Sequence, residues 1–207
     1  MLEIFIPAFV AMFVTMDPIG NVPIFISLTR ELSRGEKLKT AFRAIVIAGG
    51  LLVLFGFFGN WLLGNLGITM SAFKIAGGIL LFIIALEMLF SKRTERKANS
   101  AEEAQQQKSG DDLAVFPLAI PLIAGPGSIT TAMIWIGSAS DPTGQIIALV
   151  AVAAVLVAFA ILFSLSVFSE RFISATVANV ITRLLGMLLA ALATQSIIDG
   201  IQKVILS

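Results

Sequence analysis

Two short polar stretches interrupt hydrophobic segments of this chain and carry residue types that can bind a small ligand. The first is Asp17-Pro18-Ile19-Gly20-Asn21-Val22-Pro23, inside an apolar run from Ile4 to Leu28. Its two prolines remove backbone donors, and Asp17 and Asn21 are residue types that cap helices. Because an unpaired backbone group in a bilayer costs several kcal/mol, such a break is expected only where protein or a water-lined cavity satisfies it. The break is therefore a candidate binding site.

The second stretch runs from Pro121 to Thr131 and has the same character. Gly125 and Gly127 allow unwound backbone and close approach of a ligand, and Ser128 is a natural N-cap for a half-helix that follows. The N-terminus of a half-helix favours a carboxylate, whereas free carbonyl groups favour a cation, so a zwitterion would satisfy both. The predicted substrate site consists of Asp17, Gly20, Asn21, Gly125, Gly127, Ser128 and Thr130, with Thr15, Thr194 and Gln195 as cavity-lining candidates.

The role of Asp17 stays open between two alternatives that are compatible with each other. Carboxylates at membrane depth are costly and usually functional, which favours a contact with a substrate ammonium group, a coupling cation or a proton. The other role is structural, as a cap on the helix that follows the break. The coupling ion, proton or sodium, is not specified by either role.

Composition determines which elements must position these residues. Of the 207 residues, 57% are hydrophobic and 13% are charged, with a mean hydropathy of +0.98. Soluble proteins average roughly 45–50% apolar and about 25% charged residues, so we expect an integral membrane protein in a lipid bilayer. A net charge of +1 argues against nucleic acid as a partner.

The chain has no cysteine and no histidine, which excludes disulfides, thiol chemistry, imidazole metal sites and any triad with a histidine base. Nucleotide-binding and metalloprotease motifs are also missing from the sequence. We therefore expect neither an enzyme nor a cofactor-binding protein.

Six segments are long and apolar enough to cross a membrane. We predict them at about 4–28, 42–65, 71–90, 113–137, 143–169 and 183–205, with the first and fourth broken by the two polar stretches. Lysine and arginine concentrate in the first, third and fifth connections and are missing from the second and fourth. Because basic loops are retained on the cytoplasmic side, both termini are predicted to lie outside.

Proline placement indicates an internal repeat. Six of the seven prolines lie in the first and fourth segments, and adding 108 converts Pro18 to Pro126, Gly78 to Gly186 and Ala85 to Ala193. Since each unit has an odd number of spans, the second unit would enter the membrane inverted. The predicted fold is an all-α polytopic membrane protein with six transmembrane helices arranged as two inverted three-helix repeats, 1–91 and 113–207, joined by a cytoplasmic loop at 92–112.

At these residues the sequence resembles the MarC family, also known as the small neutral amino acid transporter (SnatA-like) family. The matching blocks are Asp17 to Phe25, Pro117 to Ile129, and Ala193-Thr194-Gln195 to Asp199-Gly200. The resemblance implies a multi-pass inner-membrane transporter of glycine- or alanine-sized zwitterions, with export as one suggested direction. Efflux of another small polar or amphiphilic solute and a non-transporting membrane scaffold stay open as alternatives, as does the oligomeric state.

Overall fold

A computed structural model describes residues 2–92, 113–137, 139, 141–169 and 175–205. The regular secondary structure of these residues is entirely helical, which confirms the predicted all-α class. The helices are α1 (Leu2–Met16), α2 (Pro18–Leu28), α3 (Arg34–Asn65), α4 (Met70–Leu89), α5 (Ala114–Ile123), α6 (Pro126–Gly137), α7 (Pro142–Phe168) and α8 (Ala175–Ile205). The predicted cytoplasmic loop lies outside the described residues except for Lys92.

The helices form five candidate membrane spans, or six when α5 and α6 are counted as one bent span. The first span runs from Leu2 to Leu28 and includes both α1 and α2, whereas α5 and α6 meet at an angle of 61°. The two predicted breaks therefore differ in shape. The chain is a polytopic membrane protein by the length and apolar composition of its helices.

The first break interrupts the helix at a single residue. Asp17 has left-handed backbone geometry, with φ 57°, but its N–H still donates to the Phe13 carbonyl at 2.9 Å. The Asn21 N–H in turn donates to the Asp17 carbonyl at 3.2 Å. Because hydrogen bonds continue on both sides, α1 and α2 stay roughly in line.

The second break is wider because α5 is irregular. Phe116 and Ile120 have extended backbone geometry within it, with ψ 123° at both, and each precedes a proline. Steric contact with the proline ring disfavours the helical region for the preceding residue, and Phe116 and Ile120 both adopt the extended alternative. The broken span predicted over 113–137 therefore has an irregular first half and a regular second half.

Two helix starts lie earlier than the hydrophobic pattern predicts. Helix α3 begins at Arg34 because Ser33 and Glu36 form a reciprocal capping box, and α8 begins at Ala175. Caps act on the backbone irrespective of hydropathy, so a helix can extend beyond its apolar part. The predicted starts at 42 and 183 followed the hydropathy of the sequence alone.

Two apolar clusters hold the bundle together. The larger joins α1, α2, α3, α5, α6 and α7 and includes stacked rings of Phe25 and Phe163, whose centroids are 4.3 Å apart. The smaller joins α1, α4 and α8 around residues such as Val14, Leu81 and Leu189. Aromatic pairs of this geometry contribute about 0.5–1.5 kcal/mol beyond the area they bury.

Helices α4 and α8 pack antiparallel along a line of small residues that we call the α4–α8 seam. A Cβ atom built on Gly78 would lie 2.8 Å from the Ala193 carbonyl oxygen, and one on Gly186 would lie 3.2 Å from that of Ala85. Since neither position has room for a larger side chain, the two backbones approach closely, as small residues permit in membrane helices. The seam consists of the pairs Ser71–Gly200, Gly78–Ala193 and Ala85–Gly186, and successive positions on each helix are seven apart in sequence number.

Candidate functional site

The carboxylate of Asp17 caps the N-terminus of α2. The Gly20 N–H donates to Asp17 Oδ1 at 3.0 Å, and the Thr182 hydroxyl of α8 donates to the same oxygen at 3.2 Å. The residue is only 2% exposed. These contacts confirm the predicted cap, and the hydrogen bond to Thr182 ties the first break to α8. A carboxylate has about four lone-pair positions, so Asp17 retains acceptor capacity for a ligand.

Asn21 joins the two breaks directly. Its side-chain amide donates to the Met16 carbonyl at 2.9 Å and to the Leu122 carbonyl at 3.4 Å. Those carbonyls lie at the end of α1 and near the end of α5, where intrahelical partners run out. The two breaks are therefore neighbours in the folded chain, as the predicted inverted repeat requires. One buried amide donates hydrogen bonds to both of them.

At the second break, α6 begins at Pro126, so Ser128 is the third residue of the helix and not the predicted N-cap. The fixed φ of proline favours the first helical position, and this preference overrides the capping preference of serine. Gly125 precedes the helix and has no room for a side chain, because a Cβ there would lie 2.6 Å from the Pro121 carbonyl oxygen.

The N-terminus of α6 differs from that of α2, because no side chain among the described residues caps it. Its first N–H groups have no intrahelical acceptor. Ser128 is 2% exposed, and among the described residues its hydroxyl has no hydrogen-bond partner. Adding 108 to Asp17 gives Gly125, so the acid that caps the first half-helix is replaced by glycine in the second. Of the two predicted carboxylate positions, the one at α2 is occupied by the Asp17 side chain, whereas among the described residues no acidic side chain occupies the one at α6.

A hydroxyl pair lies beside the second break. Thr15 Oγ1 and Thr131 Oγ1 are 3.3 Å apart, and each also donates to the carbonyl one turn earlier in its own helix. For Thr131 that carbonyl belongs to Gly127, the second residue of α6. The pair thus places two buried hydroxyl groups one helical turn beyond Gly127, near the N-terminal end of α6.

A cavity of about 510 Å³ ends at this pair. Its walls come from α1, α4, α6, α7 and α8, and its mouth lies where α1 and α4 begin and α8 ends, the end of the molecule marked by Ile4, Lys74 and Asp199. The volume falls within the usual range for small-molecule sites, roughly 300–1,000 Å³. Of the predicted residues, Thr15 and Gln195 line it.

The remaining predicted residues lie elsewhere. Gly127 is buried against Thr15, Leu81 and Ile84, below the floor of the cavity. The buried Thr130 places its methyl group against Gly77. Thr194 is exposed, and its hydroxyl donates to the Ala190 carbonyl, as in ordinary helix packing.

Four residues of the site were not singled out from the sequence as substrate contacts. Thr131 and Thr182 were missed because a threonine in an apolar helix gives no signal of what it faces. Lys74 and Asp199 lie within about one turn of the ends of the predicted spans, where pairing at the membrane surface is the usual expectation for charged residues, yet both line the cavity. The predicted topology could have indicated that Lys74 and Asp199 lie close together, because α4 begins on the side of the membrane where α8 ends.

Comparison with known proteins agrees with this architecture. The MarC family integral membrane protein model matches residues 2–205. A UPF0056 membrane protein of Methanocaldococcus jannaschii is 37% identical over 97% of this chain and 87% of its own length. One from Aquifex aeolicus is 37% identical over 98% and 94%, and YvbG of Bacillus subtilis is 33% identical over 98% and 96%. No solved structure gives a significant match. The chain therefore belongs to the MarC family of integral membrane proteins.

Proposed function

We propose that this protein is a secondary transporter of small neutral amino acids, working by alternating access in the cytoplasmic membrane with both termini outside. The observation that carries the proposal is the one-sided cavity, which descends from one end of the bundle to a buried hydroxyl pair beside two helix breaks. Broken helices at membrane depth are how transporters present backbone groups to a substrate. We propose transport rather than enzymatic chemistry for this site.

The two breaks suit a zwitterion. The uncapped N-terminus of α6, with the unpartnered Ser128 hydroxyl, offers donors to a carboxylate. The Asp17 carboxylate offers acceptors to an ammonium group or to a coupling proton or sodium ion. Tight packing around Gly127 leaves little volume beyond the polar groups, which favours glycine- or alanine-sized substrates over larger ones.

Alternation between two inverted halves is the proposed mechanism. The α4–α8 seam supports it, because the offset of 108 converts the pair Gly78–Ala193 into the pair Gly186–Ala85. A pseudo-two-fold axis between the two helices would relate these two contacts to each other. In the conformation described, the cavity opens at one end, while the Asp17–Thr182 and Asn21–Leu122 hydrogen bonds lie between its floor and the other end.

The test is uptake by purified protein in liposomes, with and without proton or sodium gradients. Glycine, alanine and serine should be transported, whereas alaninamide should not compete because it lacks the carboxylate. Ser128→Asp is the matched variant, since an acid in the first turn stabilises a helix but repels a bound carboxylate. Ser128→Asp should therefore transport less than Ser128→Ala, and comparing the unfolding temperatures of the two variants in detergent separates this loss from any effect on folding. Equal competition by alanine and alaninamide would refute the carboxylate site.

A further inference from the structure

The mouth of the cavity carries charged groups that the transport site does not use. Lys74 of α4, Asp141 before α7 and Asp199 of α8 all line it. Lys74 is only partly exposed, and among the described residues it forms no ion pair. A half-buried ammonium group that forms no ion pair is unfavourable, so its position in the cavity wall points to a ligand.

Asp199 is held in a fixed position opposite Lys74. The Gln195 side-chain amide donates to Asp199 Oδ1 at 2.7 Å, which leaves the other carboxylate oxygen available. On the α4 side, the Ser196 hydroxyl donates to the Lys74 carbonyl at 3.3 Å and fixes the register of the two helices. Lys74 and Asp199 interact electrostatically, but they do not form an ion pair with each other.

We propose that Lys74 and Asp199 form a capture site for zwitterions in the cavity mouth, above the deeper transport site. The Lys74 ammonium receives the carboxylate of the ligand and Asp199 receives its ammonium group. This inference rests on the proposed transport function and adds a first binding step to it. A zwitterion supplies both missing partners at once without adding net charge to the cavity.

The same charges set a specificity. The mouth has one cation and two carboxylates, so a substrate with a second carboxylate would have one more anion than the site can pair. It would also be repelled by Asp141. The capture site should therefore accept alanine and reject aspartate, and opposite charges at a cavity entrance accelerate encounter with matching ligands.

Binding of alanine to the purified full-length protein, measured by calorimetry, tests the proposal. Lys74→Gln and Asp199→Asn should each weaken alanine binding roughly tenfold or more, the loss expected for a charge-assisted contact. Lys203→Gln is the matched control, because Lys203 lies in the adjacent groove with Lys74 and Asp199 but does not line the cavity. It should bind alanine as the unaltered protein does.

Changing the charge at position 74 by chemical modification of the folded protein separates an effect on binding from an effect on folding. The chain has no native cysteine, so Lys74→Cys can be modified selectively. An aminoethyl thiol reagent should restore alanine binding and a sulfonatoethyl reagent should abolish it. Equal binding with both reagents, or equal effects of Lys74→Gln and Lys203→Gln in a protein that transports alanine, would overturn the capture site alone. Absence of both binding and transport in the unaltered protein would refute the proposed function, and the capture site with it.

Discussion

Replacing Asp17 should separate three energetic contributions that meet at the first break. Asp17→Ala removes the acceptor for the Gly20 N–H, leaves the buried Thr182 hydroxyl without a partner, and puts a Cβ-bearing residue without a capping group at φ 57°. Loss of a cap costs about 1 kcal/mol, an unpaired buried donor about 1–3 kcal/mol, and left-handed geometry about 1 kcal/mol. The free energy of unfolding should therefore fall by about 3–5 kcal/mol.

Two milder substitutions serve as controls for this value. Asp17→Asn keeps an acceptor and tolerates left-handed backbone, so it should lose only about 1 kcal/mol, the difference between a charged and a neutral hydrogen bond. Asp17→Gly removes the side chain without the backbone penalty and should be about 1 kcal/mol more stable than Asp17→Ala. Asp17→Asn should nevertheless impair transport more than stability, because it removes the charge.

Equilibrium unfolding in mixed micelles, followed by circular dichroism, measures these differences. A double-mutant cycle with Thr182→Val isolates the bond between the first break and α8, with an expected coupling of about 1 kcal/mol or more. Equal stability of Asp17→Ala and Asp17→Asn would refute the structural role of the carboxylate. Normal transport by Asp17→Asn would refute its role in binding or coupling.

Three further pairs of substitutions test the junction of the breaks, the α4–α8 seam and the topology. Asn21→Leu should lower the free energy of unfolding by about 1–3 kcal/mol, since it leaves two buried carbonyl groups unpaired. Asn21→Asp should lower the free energy of unfolding further, because a carboxylate cannot donate to those carbonyl groups. Thermal unfolding in detergent measures both effects. Gly78→Ala should destabilise the protein more than Gly186→Ala in the same assay, because the new methyl group would lie 2.8 Å rather than 3.2 Å from a backbone oxygen. For topology, Gly35→Cys should be shielded from an impermeant thiol reagent in intact cells and Leu66→Cys labelled, and the reverse pattern would invert the proposed orientation.

The sequence predicted those parts of the fold and site that depend on local chemistry. The apolar runs gave the helical spans, and the residue types in Asp17–Pro23 gave a capped break because Asp, Pro, Gly and Asn impose it without help from distant residues. The closeness of the two breaks was also predictable, because an inverted repeat places its two broken helices opposite each other across a pseudo-two-fold axis.

The remaining features depend on contacts between distant residues. The Thr15–Thr131 pair joins residues 116 positions apart, and nothing in either segment encodes the other. The charged cavity mouth likewise needs α4, α7 and α8 to converge. The N-cap prediction at Ser128 was wrong because two residue preferences compete there. The helix begins at the proline two residues earlier, which favours the first helical position. The sequence did not predict that the N-terminus of α2 is capped by a side chain whereas that of α6 is not.

The α4–α8 seam has a consequence for selectivity at a distance. Helix α4 supports the second break through Leu81 and Ile84, and α8 supports the first through Thr182. The spacing between those supports is fixed by residues that have almost no side chain and that do not line the cavity. If the protein transports solutes as we propose, an added methyl group in the seam would move the two helices apart and change the size limit for substrates from a position far from the binding site.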